Sequence, residues 1–157
     1  MLVQRPAPQN RKAFTLIELL MLLFIVGVLA TISVPLYANF AYKMAVTKAK
    51  ADIRVIERAM SVYKWRFGYF PASLSEVMED GLADPWGHPY EYVVLENGQN
   101  AALSRRCRRE RPLNTDYDLY SRGVDGLTRL GLTASVSQDD IVRARNGEFC
   151  DLASEYD

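Results

Sequence analysis

Histidine and cysteine are nearly missing from this chain. Its 157 residues include one histidine, His88, and two cysteines, Cys107 and Cys150. There is no C-x-x-C pair and no Cys/His cluster, which excludes a zinc site of the usual kind. His88 has no Ser or Cys nucleophile context, and no pair of carboxylates has a recognisable catalytic setting. A membrane-anchored periplasmic enzyme therefore finds little support, and nothing in the chain resembles a nucleotide site. Net charge is lacking too, because 19 basic and 19 acidic side chains cancel. That removes any global case for nucleic-acid binding.

The neutrality hides an arrangement. Residues 1–13 carry Arg5, Arg11 and Lys12 and no acid, and without them 16 basic side chains face 19 acidic ones. The next segment is apolar: from Leu16 to Ala38 the only charge is Glu18. At about 1.5 Å per helical residue, residues 14–37 span roughly 36 Å, enough to cross a bilayer core. The basic residues ahead of it should stay cytoplasmic and send the C-terminus out. A signal peptide cut after Val28-Leu29-Ala30, a plain membrane anchor and a buried core helix compete for this segment. The stretch is too long for the core helix. Glu18 sits badly with the other two, since a carboxylate inside a membrane segment costs about 2.5–3.5 kcal/mol and implies a function and a partner.

Lys12-Ala13-Phe14-Thr15-Leu16-Ile17-Glu18-Leu19-Leu20 resembles the prepilin processing motif shared by type IV pilins and type II secretion pseudopilins. The resemblance implies a prepilin peptidase that cuts between Ala13 and Phe14 and methylates the new amine on Phe14. Ala13 stands where the family usually has glycine. Pro35 falls where the family has a helix-breaking proline. Glu18 would lie four residues from the new cation, and in a filament the amine of one subunit would neutralise the Glu18 of its neighbour and set the axial stagger. Pro35 removes a backbone donor and Gly27 adds a second weak point in the helix.

Beyond the membrane segment, Ala49, Ile53, Ile56, Met60, Tyr63 and Phe67 recur at spacings of three and four. They form one apolar stripe on a second helical stretch that begins near Tyr42. Gly68 is the expected terminator and Pro71 blocks continuation. Asp84-Pro85-Trp86-Gly87-His88-Pro89-Tyr90-Glu91-Tyr92 reads as a turn running into a strand over Tyr90–Leu95. It is similar to the D-P-W-G-N-P-Y-x-Y signature of the major pseudopilin family of type II secretion, with His88 in place of Asn, where it is expected to cap the turn.

Asp116 to Gly126, DYDLYSRGVDG, is similar to that family's D-L-Y-S-x-G-A-D-G segment, a strand entering a loop that binds calcium. The resemblance implies a calcium site built from Asp125 and from Asp139 or Asp140, with carbonyls of Arg122 and Leu127 completing the shell. The alternatives are a plain solvated turn, or Arg122 supplying the positive charge internally, because Leu127 to Val136 departs from the family pattern. Arg105, Arg106, Arg108, Arg109 and Arg111 crowd around Cys107. They are either solvated surface or a contact patch for an acidic partner or DNA.

The whole chain is thus expected to be α+β with a type IV pilin-like fold, a long N-terminal helix packed on an antiparallel sheet of about three strands. Its parts would be a leader over 1–13, a membrane helix over 14–38, an amphipathic spine over 39–68 and a periplasmic domain over 69–157. The resemblance implies a single-pass protein of the bacterial inner membrane. It would form a homo-oligomeric pseudopilus in type II secretion together with minor pseudopilins and the inner-membrane platform. A minor type IV pilus or competence subunit is the alternative. In the oxidising periplasm Cys107 and Cys150 are expected to pair, tying the basic segment to the C-terminal tail.

Overall fold

Between Thr15 and Gly68 the chain offers helix-forming residues interrupted only by Gly27 and Pro35, and it forms one helix, α1, over Leu16–Phe67. The computed structural model describes residues 14–78, 82–108 and 110–156, and it divides into two units, Met1–Ala41 and Tyr42–Asp157.

In the first unit every described residue is exposed. Among the described residues α1 is the one helix whose length and composition suffice to cross a membrane. Pro35 lies inside it without ending it. The missing N–H leaves the Thr31 carbonyl without its usual partner four residues on.

The second unit is organised by the stripe on α1. Val46, Ala49, Ile53, Ile56 and Met60 are buried. The stripe outlasts the core, because Tyr63 is only partly covered and Phe67 is exposed. These two rings instead stack on each other at 4.5 Å and meet Tyr69 at 6.0 and 6.3 Å. Gly68 adopts φ 84° and its N–H donates to the Lys64 carbonyl at 2.7 Å, the left-handed cap that ends helices.

Four strands form an antiparallel sheet in chain order: β1 Glu91–Val94, β2 Tyr117–Ser121, β3 Ile141–Ala144 and β4 Phe149–Leu152. Tyr92 pairs with Leu119, Tyr120 with Val142, and Val142 with Asp151. The sheet thus has one strand more than the sequence suggests. The additional hairpin turns at Arg145-Asn146-Gly147, all at positive φ, and Asn-Gly is the sequence signal for such a turn.

Side chains alternate across a strand, so each strand contributes to two faces. Tyr117, Leu119 and Ile141 join the stripe of α1, with Tyr92, Cys150 and Leu152 packed beside them. Tyr120, Val142 and Ala144 form a separate core on the other face with Cys107, Leu113, Leu132, Ala153 and Tyr156. The sheet is covered on both sides, by a helix on one and by loop segments on the other, which is why every residue of β2 is buried.

Candidate functional site

The first candidate is the start of α1. Thr15 and Glu18 cap the helix reciprocally. The Thr15 N–H and hydroxyl both donate to Oε2 of Glu18 at 2.8 Å, and the Glu18 N–H donates to the Thr15 hydroxyl at 3.3 Å. This is a capping box, and the spacing T-x-x-E is its sequence signature. Glu18 therefore satisfies the Thr15 N–H, and Thr15 the Glu18 N–H, two backbone donors that nothing in a membrane would otherwise satisfy. Phe14, just ahead, is 84% exposed. Ala13, and with it the expected cleavage point, lies outside the described residues, as do Arg5, Arg11 and Lys12 of the expected leader.

The second candidate is the turn at 84–90 and the loop it meets. Asp84 is buried and holds the turn together. One carboxylate oxygen accepts the N–H groups of Trp86 at 3.0 Å and His88 at 2.8 Å. The other accepts the Ser121 hydroxyl at 2.5 Å, at the end of β2. His88 Nδ1 lies 3.1 Å from the Gly123 carbonyl. A Cβ at Gly126, which has φ 68°, would come within 2.7 Å of its Nε2. His88 thus bridges this turn to the loop after β2. Asp84 is a carboxylate to which the sequence alone assigns no role; an Asp two residues before an N–H at a Pro-Gly turn is the signal that finds it.

The carboxylates expected to hold calcium each have partners within the protein. Asp139 Oδ2 accepts the N–H groups of Val124 and Asp125 at 2.8 and 3.2 Å. Asp125 turns back to accept the Leu127 N–H at 2.7 Å. Asp140 is fully buried and points elsewhere, toward the Arg105 guanidinium, which donates to its Oδ2 at 2.6 Å. Thr128 donates to the same oxygen at 2.6 Å. Burial raises the Asp140 carboxyl above the usual carboxylate range, against the pull of Thr128 and Arg105. Leu127 is exposed. Among the described residues no three or more of His, Cys, Asp and Glu gather as metal ligands. One oxygen of each carboxylate is thus taken, by backbone N–H groups at Asp125 and Asp139 and by an arginine and a threonine at Asp140. Arg122 does not serve as the internal cation, because it pairs with Glu91 on β1.

The cysteine expectation is corrected. Both cysteines are free. Cys107 is buried in the core that carries Tyr120, whereas Cys150 packs into the core of α1. The sheet lies between them. Burial pushes the Cys150 thiol up to about 11.

The arginine run divides by position. Arg105 is 2% exposed, while Arg106, Arg108 and Arg111 are exposed; Arg109 lies outside the described residues. A second buried arginine, Arg143 on β3, reaches to the α1 side. It donates to Glu57 of α1 at 2.6 Å and to Asp116 at 2.6 and 2.8 Å, and lies 4.0 Å over the Tyr117 ring. Helix and sheet are therefore joined by charge as well as by apolar packing.

Comparison with known proteins bears on both candidates. Residues 8–34 match the family described as the prokaryotic N-terminal methylation motif. The type II secretion system core protein G of Pectobacterium carotovorum is 30% identical over 117 residues, covering 74% of this chain and 71% of that protein. The protein of the same name from Pseudomonas aeruginosa is 29% identical over 139 residues, covering 75% and 87%. A fimbrial protein of Neisseria meningitidis is 28% identical over 145 residues, covering 92% and 85%. No solved structure matches the chain.

Proposed function

The chain belongs to the family of the type II secretion system core protein G, and from that premise we propose that it polymerises through α1 into a periplasmic pseudopilus that helps export folded proteins. The observation that carries this reading is the surface of the first unit. Its described residues, 14–41, are exposed throughout and mostly apolar, and its single acid, Glu18, lies one turn from the Phe14 that cleavage would make a cation. In a filament the amine of one subunit would meet the Glu18 of the next, and neighbouring helices would cover the apolar surface.

The proposed partners suit that role: a prepilin peptidase acting between Ala13 and Phe14, minor pseudopilins, an inner-membrane secretion platform and the membrane lipid. The chain would cross the inner membrane once, with the second unit in the periplasm. The role is structural, without chemistry of its own and without nucleic acid.

The similarity to a fimbrial protein over 92% of the chain favours a second reading, a subunit of a type IV pilus. Deleting the gene separates the two. The proposed role predicts that exported proteins accumulate in the periplasm and that the intact gene restores their release. Unimpaired export with loss of surface pili would favour the second reading.

A further inference from the structure

We propose that Arg105 is the resident cation of the loop over 122–140, so that this loop is ordered by an internal guanidinium and takes no calcium. The inference concerns what orders the loop and holds whether the filament serves secretion or a pilus.

Arg105 reaches the loop from outside it. Its guanidinium donates to Asp140 at 2.6 Å through one terminal nitrogen and to the Thr128 hydroxyl through the other, and that hydroxyl donates onward to the same Asp140 oxygen. The three groups close a ring around one carboxylate oxygen. The guanidinium carbon lies 4.2 Å from the centre of the Tyr120 ring of β2, a cation–π contact that holds the group in place.

The backbone around Arg105 is fixed as firmly. Its N–H donates to the buried carboxylate of Asp118 at 2.5 Å, and its carbonyl accepts the Leu113 N–H at 3.0 Å. Its neighbour Arg106 is stitched to the loop itself, donating to the Leu130 carbonyl and accepting the Leu132 N–H, both at 2.9 Å. The basic segment and the loop are therefore one structure. The departures from the family pattern then have a common cause, since Leu132 buries beside Cys107 and the loop becomes part of a core.

Calcium needs six to eight oxygen ligands. Among the described residues, the buried carboxylate oxygen left without a partner here is Oδ1 of Asp140, and the Nε of Arg105 is likewise unpartnered. A divalent cation drawn to that oxygen would sit against a guanidinium of like sign. A second loop carboxylate, Asp139, does by hydrogen bonding what a metal would do by coordination, gathering the backbone of Val124 and Asp125. Its close approach explains Gly123, where a Cβ would overlap the carbonyl and carboxylate of Asp139.

The full-length protein in detergent micelles, melted with millimolar calcium chloride or with EGTA, tests the proposal. The melting temperature is expected to agree within about 1 °C, and calorimetric titration with calcium to show no saturable heat. Arg105→Met should lower the melting temperature by roughly 10 °C or more, because it strands a buried carboxylate. Arg105→Met combined with Asp140→Leu, which removes both charges, should recover most of that loss. A calcium-dependent rise of several degrees in the wild type with a one-to-one isotherm would overturn the proposal. So would a double variant no more stable than Arg105→Met alone. If Arg105→Met fails to fold, the calcium response of the wild type still decides.

Discussion

At the scale of single residues, the informative groups are polar ones with distant partners. Asp84 accepts three hydrogen bonds, two from its own turn and one from Ser121. Asp84→Ala would leave one buried and two partly buried donors without this partner and should destabilise the second unit by about 3 kcal/mol, read as a lower urea midpoint with an unchanged slope. A midpoint like that of the wild type would mean that the turn is held by its prolines alone. The cysteines give a second expectation. Purified without reductant, the folded protein should alkylate slowly at pH 8. Cys107 is buried, and Cys150, with its thiol near 11, holds its proton at that pH. After denaturation it should release two thiols per chain; none would restore the disulfide.

Why these residues escape a reading of sequence is a matter of distance along the chain. The Arg105–Asp140 pair and the Arg143–Glu57 pair join positions far apart in the sequence. Each member taken singly looks like a solvated surface charge. The residues carrying local rules were legible: the stripe over Ala49–Met60, whose period is that of a helix, and Gly68 at its end.

At the scale of elements, α1 and the sheet depend on each other. Ile53 is fully buried between them, and Ile53→Ala should cost about 2–5 kcal/mol by equilibrium denaturation. Trp65, further along α1 and 88% exposed, should tolerate Trp65→Ala within about 0.5 kcal/mol. Equal losses at the two positions would contradict the placement of the core. The stripe predicts burial at Tyr63 and Phe67 too, but the sheet does not extend to them and they pack on each other and on Tyr69 instead. The second core was illegible as a core because its members, Cys107, Leu113, Leu132 and Tyr156, come from irregular segments without periodicity. The same absence of pattern hid Arg105, which is buried while Arg106, Arg108 and Arg111 of the basic run are the surface that the sequence suggests.

At the scale of the whole molecule, the described residues of the first unit are exposed throughout, whereas the second unit has two buried cores of its own. Glu18 meets two demands. It caps α1 through Thr15 and, in the proposed filament, offers its charge to a neighbour. Glu18→Ala removes both a cap, worth about 1 kcal/mol, and a charge that costs about 2.5–3.5 kcal/mol to insert. The variant should therefore reach the membrane as abundantly as the wild type, judged by fractionation. It should nonetheless fail to give the sheared or cross-linked filaments that the wild type gives. Filaments from Glu18→Ala at wild-type yield would remove Glu18 from assembly.

The central claim is that this chain is a prepilin-type subunit matured at its basic leader, and intact-mass and N-terminal mass spectrometry of the membrane-extracted protein tests it most directly. The expected mature chain begins at Phe14 and carries one methyl group on its amine, with residues 1–13 gone. A mature chain that begins at Thr31, just after Ala30, would mark an ordinary signal peptide, delete Glu18 from the finished protein and contradict the filament.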